Sequence, residues 1–164
     1  MQKEYHMFSG LIVPLAANPE TAARLYYITK EANGGRTTWK ESSFLYELEN
    51  ENNFYLGYEF EGEIVGYIGC MRILDELSIN NFAVLPNQRR KGIGMLLLTE
   101  MIRMNVAAGV RHFYLEVRLS NEPAIFLYQK VGFENISFRK DYYVDPVEDA
   151  YVFYKQEPNL EVDK

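Results

Sequence analysis

The spacing of apolar and polar positions changes several times along this chain, and each change marks an element. Leu11 to Pro14 is a short apolar run that reads as a strand. Asn18-Pro19-Glu20 opens a helix, because Asn caps with its side chain, Pro is tolerated in the first turn, and Ala22, Leu25, Tyr26 and Ile28 follow at roughly helical spacing. Asn33-Gly34-Gly35 ends it. A second helix is predicted from about Trp39 to Glu49, burying Trp39, Phe44, Leu45 and Leu48. The pattern then turns to strands. Phe54 to Phe60 and Glu63 to Leu74 are rich in aromatic and β-branched residues, and Glu61-Gly62 between them reads as a hairpin turn. Leu77 to Val84 is a further strand, closed by Pro86. Gly92-Ile93-Gly94 starts a long helix with Ile93, Leu97, Met101, Met104 and Ala108 on one face, ended by Gly109. Phe113 to Val117 is a strand, Glu122 to Lys130 a short helix stopped by Gly132, and Phe133 to Arg139 and Ala150 to Lys155 two final strands. The order β-α-α-β-β-β-α-β-α-β-β implies an α+β fold with a mixed sheet. No repeat, low-complexity tract or linker divides the sequence, so residues 1–164 are read as one domain.

Composition narrows the function. With 17 basic and 23 acidic residues the net charge is −6, which matches a nucleic-acid backbone poorly and argues against direct nucleic-acid binding. The single cysteine, Cys70, lies in an apolar strand and reads as core, and such cysteine poverty fits a reducing cytoplasm. Met1 to His6 lacks the apolar core and cleavage site of a signal peptide, and no apolar run approaches the roughly 18 residues that span a bilayer. No membrane association is expected. His6 and His112 stand at no metal-ligand spacing, so no metal site is expected.

Arg89, Arg90 and Lys91 form a positive cluster in this acidic chain, directly before Gly92-Ile93-Gly94. A basic, glycine-containing turn between a strand and a helix suits an anion: glycine permits positive φ, and the helix N-terminus points amide N–H groups and the positive end of its dipole at the ligand. Forked arginine side chains suit a pyrophosphate. The run lacks the Gly-Lys-Ser/Thr of a P-loop, and Met95, Leu96 and Leu97 follow where a dinucleotide fingerprint needs a third glycine.

The run from Arg89 to Gly94, after a strand ending Ala83-Val84 and before an amphipathic helix, resembles the acyl-CoA-binding motif of the GNAT N-acetyltransferases. The segment from Leu115 to Phe133, containing Leu-Glu-Val-Arg, Ser-Asn, Ala-Ile, Leu-Tyr and Gly-Phe, is similar to the signature of the bacterial ribosomal-protein alanine N-acetyltransferases of the RimI type. Arg139-Lys140-Asp141-Tyr142-Tyr143 and Glu148-Asp149-Ala150 continue the likeness. The resemblance implies the GNAT fold: a mostly antiparallel sheet of about seven strands, splayed between the fourth and fifth and flanked by about four helices. It also implies a cytoplasmic enzyme using acetyl-CoA as co-substrate.

By the same resemblance Phe82, Ala83 and Val84 would offer backbone groups to the pantetheine arm. Arg89, Arg90, Lys91, Gly92, Ile93, Gly94 and Met95 would wrap the pyrophosphate. Asn121, a helix cap by position, would also contact the cofactor. Glu116 would be the general base and Tyr128 the general acid. A peptide α-amine has a pKa near about 8, so a carboxylate can deliver it neutral, and a phenol with a pKa near about 10 can protonate a departing thiolate. Trp39, Tyr142 and Tyr143 would line the acceptor site, with the two tyrosines in a loop between the last strands. The implied acceptor is a protein N-terminal amine, of ribosomal-protein type. The family often carries Pro before that tryptophan, where this chain has Arg36-Thr37-Thr38-Trp39, which leaves a small-molecule amine as the alternative acceptor. A non-catalytic acyl-CoA-binding module is the third reading.

Overall fold

The structure, a computed structural model, describes residues 10–158; the N-terminal stretch read above and the His6 side chain lie outside them. In chain order the elements are β1 (Leu11–Pro14), α1 (Pro19–Ala32), α2 (Glu41–Glu49), β2 (Asn53–Phe60), β3 (Glu63–Ile73), β4 (Glu76–Val84), α3 (Ile93–Ala107), β5 (His112–Arg118), α4 (Glu122–Lys130), β6 (Glu134–Val144) and β7 (Val147–Gln156). A 3-10 turn, Pro86–Gln88, sits between β4 and α3 and has no counterpart in the sequence reading. The strands form a seven-stranded sheet in the order β1-β2-β3-β4-β5-β7-β6. β1–β2, β5–β7 and β6–β7 are antiparallel, whereas β4–β5 is parallel. This is the α+β, mixed-sheet architecture that the element order predicts. The parallel ladder runs from Glu76–His112 to Ile79–Leu115 and stops, while β4 continues to Val84 and β5 to Arg118. The ladder therefore ends where the resemblance expects the strands to part.

Within the described residues the chain divides into two compact units, 10–69 with 81–98, and 70–80 with 99–158. In the first, Asn18 Oδ1 accepts the Thr21 amide at 2.8 Å and Pro19 occupies the first helical position, so α1 begins as its sequence dictates. Its face of Ala22, Leu25 and Ile28 is buried, while Tyr26 remains at the flank. Tyr67 lies at the centre of an aromatic cluster: its ring packs edge-on against Phe44 at 6.3 Å and stacked with Tyr55 at 6.2 Å, and its hydroxyl meets that of Thr29 at 2.7 Å. The Glu61-Gly62 turn has positive φ at both residues, 52° and 81°, the requirement of a type I′ hairpin.

The second helix starts two residues later than its sequence suggests. Lys40 is extended, with φ −106° and ψ 164°, and its amide donates to Ser43 Oγ at 3.3 Å, which leaves Trp39 outside α2. Only Phe44 of the predicted face is fully buried; Trp39, Leu45 and Leu48 are half-buried.

In the second unit β5 alternates cleanly. Phe113, Leu115 and Val117 are buried, and they share a face with their β7 partners Tyr151, Phe153 and Lys155. His112, Tyr114, Glu116 and Arg118 occupy the opposite face. Cys70 is buried core, as expected, with Sγ 3.3 Å from Met101 Sδ. Along α3 the buried positions are Ile93, Leu97, Leu98, Met101, Ile102 and Asn105. The predicted stripe is thus corrected: Met104 is at the margin and Ala108 exposed, because the helix ends at Ala107 and its buried side is two residues wide. Asn105 takes the inner position, donating to the Met101 carbonyl at 2.8 Å and accepting from Arg72 Nη1 at 3.4 Å, so its buried amide is satisfied.

The last two strands exceed their predicted lengths, and Tyr142 and Tyr143 lie on β6 rather than in a loop. β6 breaks register with β7 twice, between Asn135 and Ser137 and between Arg139 and Tyr143, which erases the alternation that marks a strand in sequence. At the second break Asp141 has φ 51°, and its amide donates to Asp149 Oδ1 at 2.8 Å.

Candidate active site

In the first unit the candidate cofactor residues form a continuous strand, turn and helix start. The end of β4 is held against β3: the Leu85 amide donates to the Val65 carbonyl at 2.9 Å, and a methyl added at Gly66 would lie 3.1 Å from Val84 Cγ2 and 3.4 Å from the Ala83 carbonyl oxygen. Phe82, Ala83 and Val84 are half-buried there. Two left-handed residues, Arg90 at φ 64° and Gly92 at φ 79°, flank Lys91. Alternation of this kind turns successive amides toward one side, the geometry of an anion nest. Left-handed backbone costs a non-glycine residue roughly 1–2 kcal/mol, so Arg90 is held there against its preference. Ile93 is buried and fixes the first turn of α3, where the Leu96 amide donates to the Gly92 carbonyl at 3.0 Å.

The three basic side chains differ in their engagements. Arg89 donates to the carbonyl of Ala32, at the C-terminal end of α1, at 2.9 Å. Lys91 donates to Gln88 Oε1 at 3.0 Å and lies over the Phe60 ring. These residues fit a pyrophosphate through main-chain donors, with Arg90 and Lys91 as exposed charge beside them. Also in this unit, Trp39 packs on Phe44 with ring centroids 5.0 Å apart. It borders an open groove of about 550 Å³ lined by Thr38, Trp39, Ser42, Ser43, Tyr46 and Glu47.

The second unit carries the candidate proton-transfer residues. Glu116 projects from the polar face of β5, and its Oε1 is 3.5 Å from Arg139 Nε on β6. Arg118, two residues further along the same face of β5, pairs with Glu148, Nη1 to Oε1 at 3.1 Å. Asn121 caps α4, its Oδ1 accepting the Ala124 amide at 3.3 Å. Two turns beyond the cap Tyr128 is buried, with its ring edge-on to Phe133 at 5.8 Å and to Phe153 at 6.3 Å. Burial, and then the proximity of Tyr143, push the Tyr128 phenol above its ordinary pKa and keep it protonated. Tyr143 is itself pushed up to about 12, mainly by burial, with Tyr142, Glu116 and Glu148 adding and Arg118 opposing. Tyr142 is raised by burial and by Glu116, against Arg139. Glu116 and Tyr128 are thus both electrostatic neighbours of Tyr143.

Two residues outside the sequence's site list, Arg118 and Arg139, tie this group together. Alternation along β5 could have placed Arg118 on the face of Glu116, but its partner depends on strand register. His112 bonds Tyr154 through Nδ1 at 2.6 Å with Asp75 3.7 Å from Nε2. Among the described residues no group of three or more His, Cys, Asp or Glu is disposed to hold a metal ion, and no helix is long and apolar enough to cross a membrane.

The profile of the Acetyltransferase (GNAT) family matches residues 22–133, which draw on both units, and the chain belongs to that family. It is an acetyl-CoA-dependent N-acetyltransferase, with acetyl-CoA as co-substrate. Over 125 residues it is 38% identical to the ribosomal protein bS18-alanine N-acetyltransferase of Haemophilus influenzae, covering 75% of this chain and 82% of that protein. Against the enzyme of the same name from Escherichia coli it is 34% identical over 131 residues, or 77% and 85% of the two chains. The crystal structure of the ribosomal-protein-S18-alanine N-acetyltransferase from Escherichia coli matches with a TM-score of 0.82 and 28% identity, over 92% of this chain and 97% of that one.

Proposed function

We propose that this N-acetyltransferase acts on the N-terminal α-amine of a protein, with an alanine-starting ribosomal protein as its acceptor and the cytoplasm as its compartment. The observation that carries this reading is the 38% identity, over 75% of the chain, to an enzyme named for that acceptor, in a chain that keeps Glu116 on the polar face of β5 and a buried Tyr128 on α4. Acetyl-CoA supplies an acyl group activated as a thioester. The half-exposed Glu116 carboxylate takes a proton from the attacking amine, and an α-amine near neutrality needs only a modest base. The Tyr128 phenol, kept neutral by burial, gives its proton to the departing sulfur. Main-chain donors at Arg90 to Met95 hold the pyrophosphate, Phe82 to Val84 receive the pantetheine arm, Asn121 contacts the cofactor from the α4 cap, and Trp39, Tyr142 and Tyr143 line the acceptor site.

The test is acetyl-CoA-dependent thiol release with an alanine-starting peptide from bS18, beside the same peptide blocked at its α-amine. Release with the free peptide alone supports the reading. Release with neither, but with a panel of small amines, transfers the activity to a small-molecule acceptor. Binding of acetyl-CoA without any turnover favours a regulatory module.

A further inference from the structure

Arg118 makes more side-chain contacts than its place at the end of β5 requires. Its Nη1 donates to the Pro146 carbonyl at 2.9 Å and to Glu148 Oε1 at 3.1 Å, and its Nη2 donates to the Asp145 carbonyl at 3.2 Å. Its Cζ lies 4.2 Å from the centre of the Tyr143 ring. Glu148 completes the arrangement, since Oε2 accepts the Ser120 amide at 2.7 Å. One guanidinium thus links three parts of the second unit: the β6–β7 turn at Asp145-Pro146, the Tyr143 side chain, and, through Glu148, the loop that leads into α4. Lysine has a single ammonium in place of the planar fork and could not hold two carbonyls, a carboxylate and a ring face together.

Tyr143 is coupled electrostatically to both Glu116 and Tyr128, so what seats the Tyr143 ring bears on the acceptor site proposed above. We propose that Arg118 is a positioning residue for acceptor recognition, bracing the β6–β7 turn against the entrance to α4 and seating Tyr143 in one orientation. This rests on the α-amine reading above.

The experiment compares wild type, Arg118→Lys, Tyr143→Ala and the double variant in steady-state kinetics with the alanine-starting peptide. Arg118→Lys is expected to raise the peptide KM about tenfold while kcat and the acetyl-CoA KM stay within about twofold. The double variant should be no worse than Tyr143→Ala, because both changes remove one arrangement. An unchanged peptide KM, or effects that multiply in the double variant, would overturn the proposal. Amide hydrogen exchange reads the brace without any acceptor: Asp145, Val147 and Glu148 should exchange faster in Arg118→Lys with α1 unaffected, and unchanged exchange refutes it. A wild-type enzyme that leaves the peptide unacetylated overturns the α-amine reading and the acceptor half of this inference, while the exchange result still decides the brace.

Discussion

Arg139 Nε lies 3.5 Å from Glu116 Oε1, so the proposed base is paired across the sheet with a cation from the edge strand. Arg139 is 58% exposed, and solvent screening holds such a pair to less than about 1 kcal/mol of stability. Glu116→Gln should therefore lower kcat by about 10²–10⁴-fold, the range of a lost general base, with little change in melting temperature. Thiol-release kinetics beside a thermal melt check both halves; a large fall in stability would show a structural role instead.

Tyr128→Phe keeps the ring that packs on Phe133 and Phe153 and removes only the hydroxyl. We expect turnover to fall about 10²–10⁴-fold with acetyl-CoA affinity unchanged within a few fold. Equal turnover in the two proteins would exclude the acid role. Burial also raises the phenols of Tyr55 and Tyr67. A native pKa above the unfolded value contributes stability that is complete below about pH 10 and is lost as pH rises through the native values. Titration followed by tyrosinate absorbance should show these groups ionising together with alkaline unfolding, not before it.

Glu148 has the opposite sign. The Ser120 side-chain hydroxyl, then the Ser120 amide and Arg118, hold its carboxyl below its ordinary value of about 4.5. Its contribution is complete above that value and disappears as pH falls through the depressed one. Urea melts of wild type and Glu148→Gln should differ at neutral pH and converge in acid; a constant gap would exclude the linkage.

The cofactor turn separates strain from binding. At Gly92 an added methyl would meet nothing within 4 Å, so Gly92→Ala should cost only the roughly 1–2 kcal/mol of left-handed backbone. Arg90→Gly relieves a similar strain, and we expect it to melt at higher temperature yet bind acetyl-CoA more weakly. Calorimetric melting and titration with acetyl-CoA measure the two effects; tighter binding would show that Arg90 does not serve the anion.

Local chemistry made most of the fold legible: Asn18-Pro19 starts α1, Glu61-Gly62 turns the hairpin, and Asn121 to Lys130 is α4 with its cap. What failed depended on long-range pairing. β6 hides its length because two register breaks scramble its alternation, and this put Tyr142 and Tyr143 in a loop that does not exist. Trp39 fell outside α2 because Lys40 is extended, a choice that apolar spacing does not record. The candidate site was similarly divided. Its glycine turn is contiguous and could be read residue by residue, whereas the pairings of Glu116 with Arg139 and of Arg118 with Glu148 join residues 23 and 30 positions apart.

The same register breaks bear on how this molecule coexists with its neighbours at high concentration. β6 is the last strand of the sheet, eleven residues long, with Ile136, Phe138 and Val144 exposed. A flat strand of that composition would template cross-β growth by other chains. Kinked at Ile136 and again around Asp141, β6 presents no straight row of donors and acceptors on which an incoming strand could register, so its irregularity protects against aggregation.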